Sequence, residues 1–104
     1  MQSAEDVVKL ILERFRSRRV SQVPGYNSFG YVGETERAVI VSRENGKDTR
    51  VPIARLEIGV SAVRHDPGVY DGGPRRLRDY EIRYVTSPVW SLLHLVTKGA
   101  ILGL

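Results

Sequence analysis

The sequence predicts an α+β fold: a small, mostly antiparallel sheet of three to four strands packed by about three helices, in the order α-β-β-β-α-β-α. Two observations carry this prediction. Apolar residues recur every three or four positions near both ends of the chain, as in amphipathic helices, and Asn45-Gly46 separates two strand-like segments, as in a tight hairpin. Because 104 residues suit a single hydrophobic core, we expect one compact α+β domain over residues 1–104.

The first third of the chain predicts a helix followed by a strand. Ser3 fits the N-cap of a helix over about residues 4–18. The apolar face of this helix consists of Val8, Ile11, Leu12 and Phe15. Pro24-Gly25 then predicts a turn, and residues 29–32 predict a short strand.

A central hairpin follows this strand. Residues 37–43 predict a buried strand because Ala-Val-Ile-Val lies at their centre, and residues 48–51 predict the returning strand. Asn45-Gly46 supplies the residue types that a type I′ turn places at positive φ. Pro52 fits the first turn of a second helix, which we expect to end near Arg64.

The last third predicts a loop, a strand and a final helix. Turn residues dominate positions 65–74 and predict a loop, with a single helical turn over residues 74–79. Alternating side chains over residues 81–85 predict a strand. Ser87-Pro88 fits the start of a third helix that runs to about Lys98 and ends at Gly99 before a short apolar tail.

The composition argues against several classes of chemistry. The chain has no cysteine, which excludes disulfides, thiolate nucleophiles and thiolate metal sites. Its two histidines, His65 and His94, lie on different predicted elements and form no paired motif, so we expect no metal and no cofactor. No serine lies in a nucleophile-elbow sequence. We therefore expect a binding protein rather than an enzyme.

The charge favours an anionic partner. The formal net charge is +4, and arginine, whose planar guanidinium suits phosphates, supplies most of the positive charge. The leading hypothesis is a module that contacts DNA or RNA through phosphates. Its contacts are expected from Arg18, Arg19, Arg43, Lys47, Arg50, Arg75, Arg76 and Arg78. The alternative is that these are ordinary surface charges, partly neutralised by neighbouring acids.

Two further hypotheses use the apolar residues. The first is a protein-interaction or homodimeric accessory protein with its interface at Trp90, Leu93, Ile101, Leu102 and Leu104. The sheet and the first helix could instead cover these side chains, and the sequence leaves the choice open. The second is a small-molecule pocket lined by Tyr31, Tyr70, Tyr84 and Trp90.

The termini and the hydropathy favour a cytoplasmic protein without a membrane partner. The first residues include Glu5 and Asp6, whereas a secretory signal begins with basic residues. The most apolar stretch, residues 88–96, is much shorter than the ~20 residues that span a bilayer.

Overall fold

The computed structural model describes residues 2–104, which form a four-stranded sheet and six helical segments. The α-helices are α1 (Ala4–Arg18), α2 (Ile53–His65), α3 (Gly68–Asp71), α4 (Thr86–Leu93) and α5 (Lys98–Leu102). A 3-10 helix spans Pro74–Tyr80. The strands are β1 (Val20–Ser21), β2 (Phe29–Glu34), β3 (Ala38–Arg43) and β4 (Asp48–Pro52).

The sheet is an antiparallel meander in the order β1-β2-β3-β4, which confirms the predicted α+β class. Helix α1 starts as predicted, because the Ser3 side chain accepts a hydrogen bond from the Asp6 backbone N–H at 3.0 Å. One face of the sheet is buried with α1, α2 and α4 in a shared hydrophobic core. Val39, Val41 and Val51 are fully buried on that face.

The hairpin between β3 and β4 is confirmed, but its predicted type I′ turn is wrong. A type I′ turn needs a positive φ at both of its central residues. Gly46 has one, at φ 84°, but Asn45 does not. The Gly46 N–H donates to the Arg43 carbonyl at 2.9 Å, and the Arg43 N–H donates to the Lys47 carbonyl. These bonds close a three-residue loop with its glycine in the left-handed region, the next most common hairpin connection.

The predicted strand over residues 81–85 is wrong, and β1 is the fourth strand instead. Glu81 and Tyr84 adopt φ values of 63° and 66°, which interrupt an extended chain. The N–H groups of Glu81 and Ile82 donate to carbonyls of the preceding 3-10 helix rather than to a neighbouring strand. The buried Ile82 accounts for the alternating pattern, because this segment inserts one apolar side chain into the core.

The predicted last helix is divided in two. Helix α4 ends at Leu93, and the N–H groups of residues 94–96 bond three residues back, which tightens the chain. Thr97 then caps α5 by accepting the Ala100 N–H at 3.0 Å. Gly99, predicted to end the helix, lies inside α5, and Gly103, at φ 78°, ends it. Among residues 2–104, none of these helices has the length and apolar character needed to cross a membrane.

Candidate nucleic-acid interface

Tyr84 is an aromatic side chain held out from the surface by a tight turn. The whole residue is 94% exposed, more than any other aromatic residue among residues 2–104. The Val85 N–H donates to the Arg83 carbonyl at 2.7 Å, which closes a three-residue turn around Tyr84. Three-residue turns with a positive central φ are rare and strained, and Tyr84 has φ 66°. Backbone strain of this kind is concentrated at functional sites.

Arg43 at the end of β3 anchors the Tyr84 turn. Its Nη2 donates to the Tyr84 carbonyl at 3.2 Å. The same guanidinium donates through Nε to the Thr49 hydroxyl at 2.7 Å and lies over the Phe29 ring at 5.8 Å. Three contacts on one side chain fix its position on the sheet. Arg43 therefore ties the turn to the rigid hairpin and keeps a cation beside it.

A concave surface lies next to this turn. It encloses about 530 Å³ and is lined by Arg78, Arg83, Tyr84 and Thr86, which we call the Tyr84 concavity. Arg78 comes from the 3-10 helix and Thr86 from the start of α4, so two helical segments fix its walls. Two guanidinium groups, a hydroxyl and an exposed ring thus share one site. These groups can donate hydrogen bonds to anionic oxygens and stack on a planar ring.

No protein family, curated protein or solved structure matches this chain.

The predicted basic residues divide between this site and other parts of the surface. Arg78 lines the Tyr84 concavity, Arg43 anchors it, and the Lys47 backbone bonds to that of Arg43 at the same end of the sheet. Arg50 pairs with Ile40 in the middle of the β3–β4 ladder, with an exposed side chain. Arg75 is exposed on the 3-10 helix.

The remaining predicted arginines have other partners. Arg76 forms an ion pair with Asp66, which neutralises it locally. Arg19 ends α1, and its guanidinium lies over the Tyr31 ring at 5.2 Å. Arg18 lines a separate depression with His94 and other residues at the end of α4. The eight predicted contacts do not all converge on the concavity.

Three of the five residues of the predicted apolar interface are buried in the chain's own core. Trp90 is 3% exposed, and Leu93 and Ile101 are fully buried in the chain's own core. The sheet and helices of the same chain cover these side chains, so none is available to a partner. Leu102 is half-buried and packs against the same core, while Leu104 is 95% exposed at the end of the chain.

The four aromatic residues predicted to line a small-molecule pocket do not meet. Tyr31 packs edge-on against Phe15 at 5.3 Å, and Tyr84 lies on the surface. Tyr70 and Trp90 both contact His94, at centroid distances of 3.8 and 4.4 Å. This partly buried stack packs α3 against Trp90 on α4 and against His94, the residue that follows α4. Burial lowers the pKa of His94, and a hydrogen bond between its Nε2 and the Tyr70 carbonyl partly opposes that shift.

The predicted nucleic-acid contacts include Arg78 and Arg43 but not Arg83, Tyr84 or Thr86, although Arg83 flanks Tyr84 in the same arginine-rich segment. The available signal was the clustering of arginine with tyrosine over residues 75–84. Because side chains alternate over residues 81–85, the sequence predicted a strand there rather than the turn around Tyr84. Within the described residues, no group of three or more histidine, aspartate or glutamate side chains could hold a metal ion.

Proposed function

We propose that this protein is a non-enzymatic module that binds single-stranded nucleic acid at the Tyr84 concavity. An unpaired base stacks on the Tyr84 ring, and Arg78 and Arg83 contact the phosphates on either side of it. The observation that carries this proposal is the exposed Tyr84 ring, held on a strained turn by Arg43 and flanked by two arginines.

Single strands suit this site better than a duplex. Proteins that bind single strands combine a basic surface with aromatic side chains on which bases stack, and each such contact contributes about 1–3 kcal/mol. Bases in a duplex are already stacked on each other, so one exposed tyrosine reaches no free base face. The Tyr84 concavity is built on a 3-10 helix, a turn and the first residue of α4, so it presents no long helix to a major groove, which duplex readers commonly use.

The test is the affinity for labelled single-stranded DNA and RNA of about 12 nucleotides, within the range that a small binding domain covers. Fluorescence anisotropy gives Kd for the natural protein and for Tyr84→Ala. Loss of one stacking contact should weaken binding about 5- to 150-fold. Reversal of either flanking cation, in Arg78→Glu or in Arg83→Glu, should also weaken it by placing a like charge beside the phosphates.

The matched control is Arg37→Glu. Arg37 is exposed and lies before β3, at the opposite end of this strand from Arg43. This variant makes the same change in net charge as either single reversal but leaves the Tyr84 concavity intact. Equal losses in the control and the site variants would mean that only overall charge matters, and the proposal would fail. Tighter binding to duplex than to single strands would also contradict it.

A further inference from the structure

A second concave surface lies on α2, apart from the Tyr84 concavity. It is a wide, open depression of about 770 Å³ between one face of α2 and the end of the 3-10 helix. We call it the acid-rimmed groove; its lining consists of Ala54, Glu57, Ile58, Ser61, Ala62, His65, Asp79, Tyr80 and Glu81. The α2 residues recur at intervals of three and four, so the groove follows one side of the helix for about three turns, roughly 16 Å.

The floor of this groove is apolar and shallow. Ile58 is half-buried, and Ala54, Ser61 and Ala62 have side chains of at most two heavy atoms. Small residues in a row let the backbone of a second helix approach closely. A helix that presents one large apolar residue per turn can pack against such a strip, which is how amphipathic helices bind in grooves.

The rim of the groove is acidic. Glu57 lies on α2, while Asp79 and Glu81 lie on the facing wall. Among residues 2–104, none of the ion pairs involves these three carboxylates. The described residues that line the groove include no lysine and no arginine. The groove therefore carries three acidic side chains, unpaired within the described part of the chain, on a protein whose net charge is positive. This negative strip complements a partner of opposite charge.

We infer that the acid-rimmed groove binds a basic amphipathic helix of a partner protein. The apolar side of that helix packs on Ile58 and Ala54, and its lysines or arginines reach Glu57, Asp79 and Glu81. This surface is separate from the proposed nucleic-acid site, although residues 78–84 connect the two. The chain then carries a cationic site for a nucleic acid and an anionic site for a protein helix.

The test uses nitrogen-15 NMR spectra of the full chain titrated with two synthetic helical peptides of about five turns. One peptide has leucine on one face and lysine on the other; the second has glutamate in place of lysine. The lysine peptide should shift the amide signals of residues 54–65 and 79–81, and the glutamate peptide should not. Reversal of the rim in Glu57→Lys with Glu81→Lys should weaken the lysine peptide at least about tenfold.

A second variant separates shape from charge. Ser61→Trp places a large ring on the exposed floor without touching the core, so it should block the lysine peptide while the protein remains folded. Binding that survives this variant, shifts that lie elsewhere, or no shift with either peptide would overturn the inference. Shifts of the same amides on raising the protein concentration without peptide would assign the groove to a second copy of this chain and would also overturn it.

Discussion

At the scale of single residues, Tyr84 has a conformation that costs stability. A left-handed backbone costs a residue with a Cβ roughly 1–2 kcal/mol relative to the right-handed region, and its φ is 66°. A side chain that is 94% exposed gains little from packing in return. Glycine would relieve the strain at this position. The presence of tyrosine instead is explained if its ring contacts a ligand.

Replacing Tyr84 with glycine should therefore separate stability from binding. The gain from relieved strain is offset by about 0.5–1 kcal/mol for the greater freedom of glycine in the unfolded chain. For Tyr84→Gly we expect the free energy of unfolding in urea to stay the same or rise by up to about 1.5 kcal/mol. Affinity for single-stranded oligonucleotides should fall as in Tyr84→Ala.

Glu81→Gly is the matched control for this variant. Glu81 has nearly the same φ, 63°, and lies three residues earlier, but it does not line the Tyr84 concavity. Relief of strain there should not weaken oligonucleotide binding. A marked loss of stability in Tyr84→Gly would instead show that the ring supports the fold, and the argument from strain would fail.

At the scale of elements, the sequence predicted those helices and hairpins whose signal lies in residues close together in the chain. The apolar spacing of α1 and the glycine of the β3–β4 hairpin identified those elements because each rests on neighbouring residues. The segment at residues 81–85 has the alternation of a strand, but its hydrogen bonds go to the 3-10 helix. The strand that the sequence did not predict is the two-residue β1, which forms because it pairs with β2 rather than because of a pattern in its own residues. Tertiary contacts decided both cases.

The contact between α3 and α4 should make stability depend on pH. His94 stacks on Tyr70 at 3.8 Å, and burial favours its neutral form, so its pKa in the folded protein lies below its ordinary value of 6.5. Well above pH 6.5 the histidine is neutral in both the folded and the unfolded protein, so it adds no pH dependence to stability. As the pH falls through 6.5, the unfolded chain takes up the proton first, and the free energy of unfolding falls.

Urea denaturation at pH 7.5 and at pH 5.5 measures this effect. We expect the natural protein to be less stable at the lower pH and His94→Gln to lose most of that difference. A pH range above 5 keeps most carboxylates ionised, so their titration contributes little. An equal drop in stability in His94→Gln would assign the pH dependence to other groups.

At the scale of the whole molecule, the basic net charge favoured the hypothesis of an anionic partner but did not predict which surface would contact it. Tertiary structure pairs Arg16 with Glu34, Arg76 with Asp66 and Lys98 with Asp71. It gathers Arg43, Arg78 and Arg83 around one exposed ring. The same fold leaves Glu57, Asp79 and Glu81 together on the acid-rimmed groove. The sequence supplied the residue types, whereas packing set which charges are paired within the chain and which are not.

The most direct test of the account is the NMR signal of the Tyr84 ring during titration with a single-stranded oligonucleotide. Tyr84 should be assigned by comparison with Tyr84→Ala, and the exposed Tyr26 ring serves as an internal reference. We predict that the Tyr84 ring protons move upfield as a base stacks on them, and that the amides of Arg78, Arg83 and Thr86 shift in parallel. Saturable binding that leaves the Tyr84 ring signal unchanged would contradict the account.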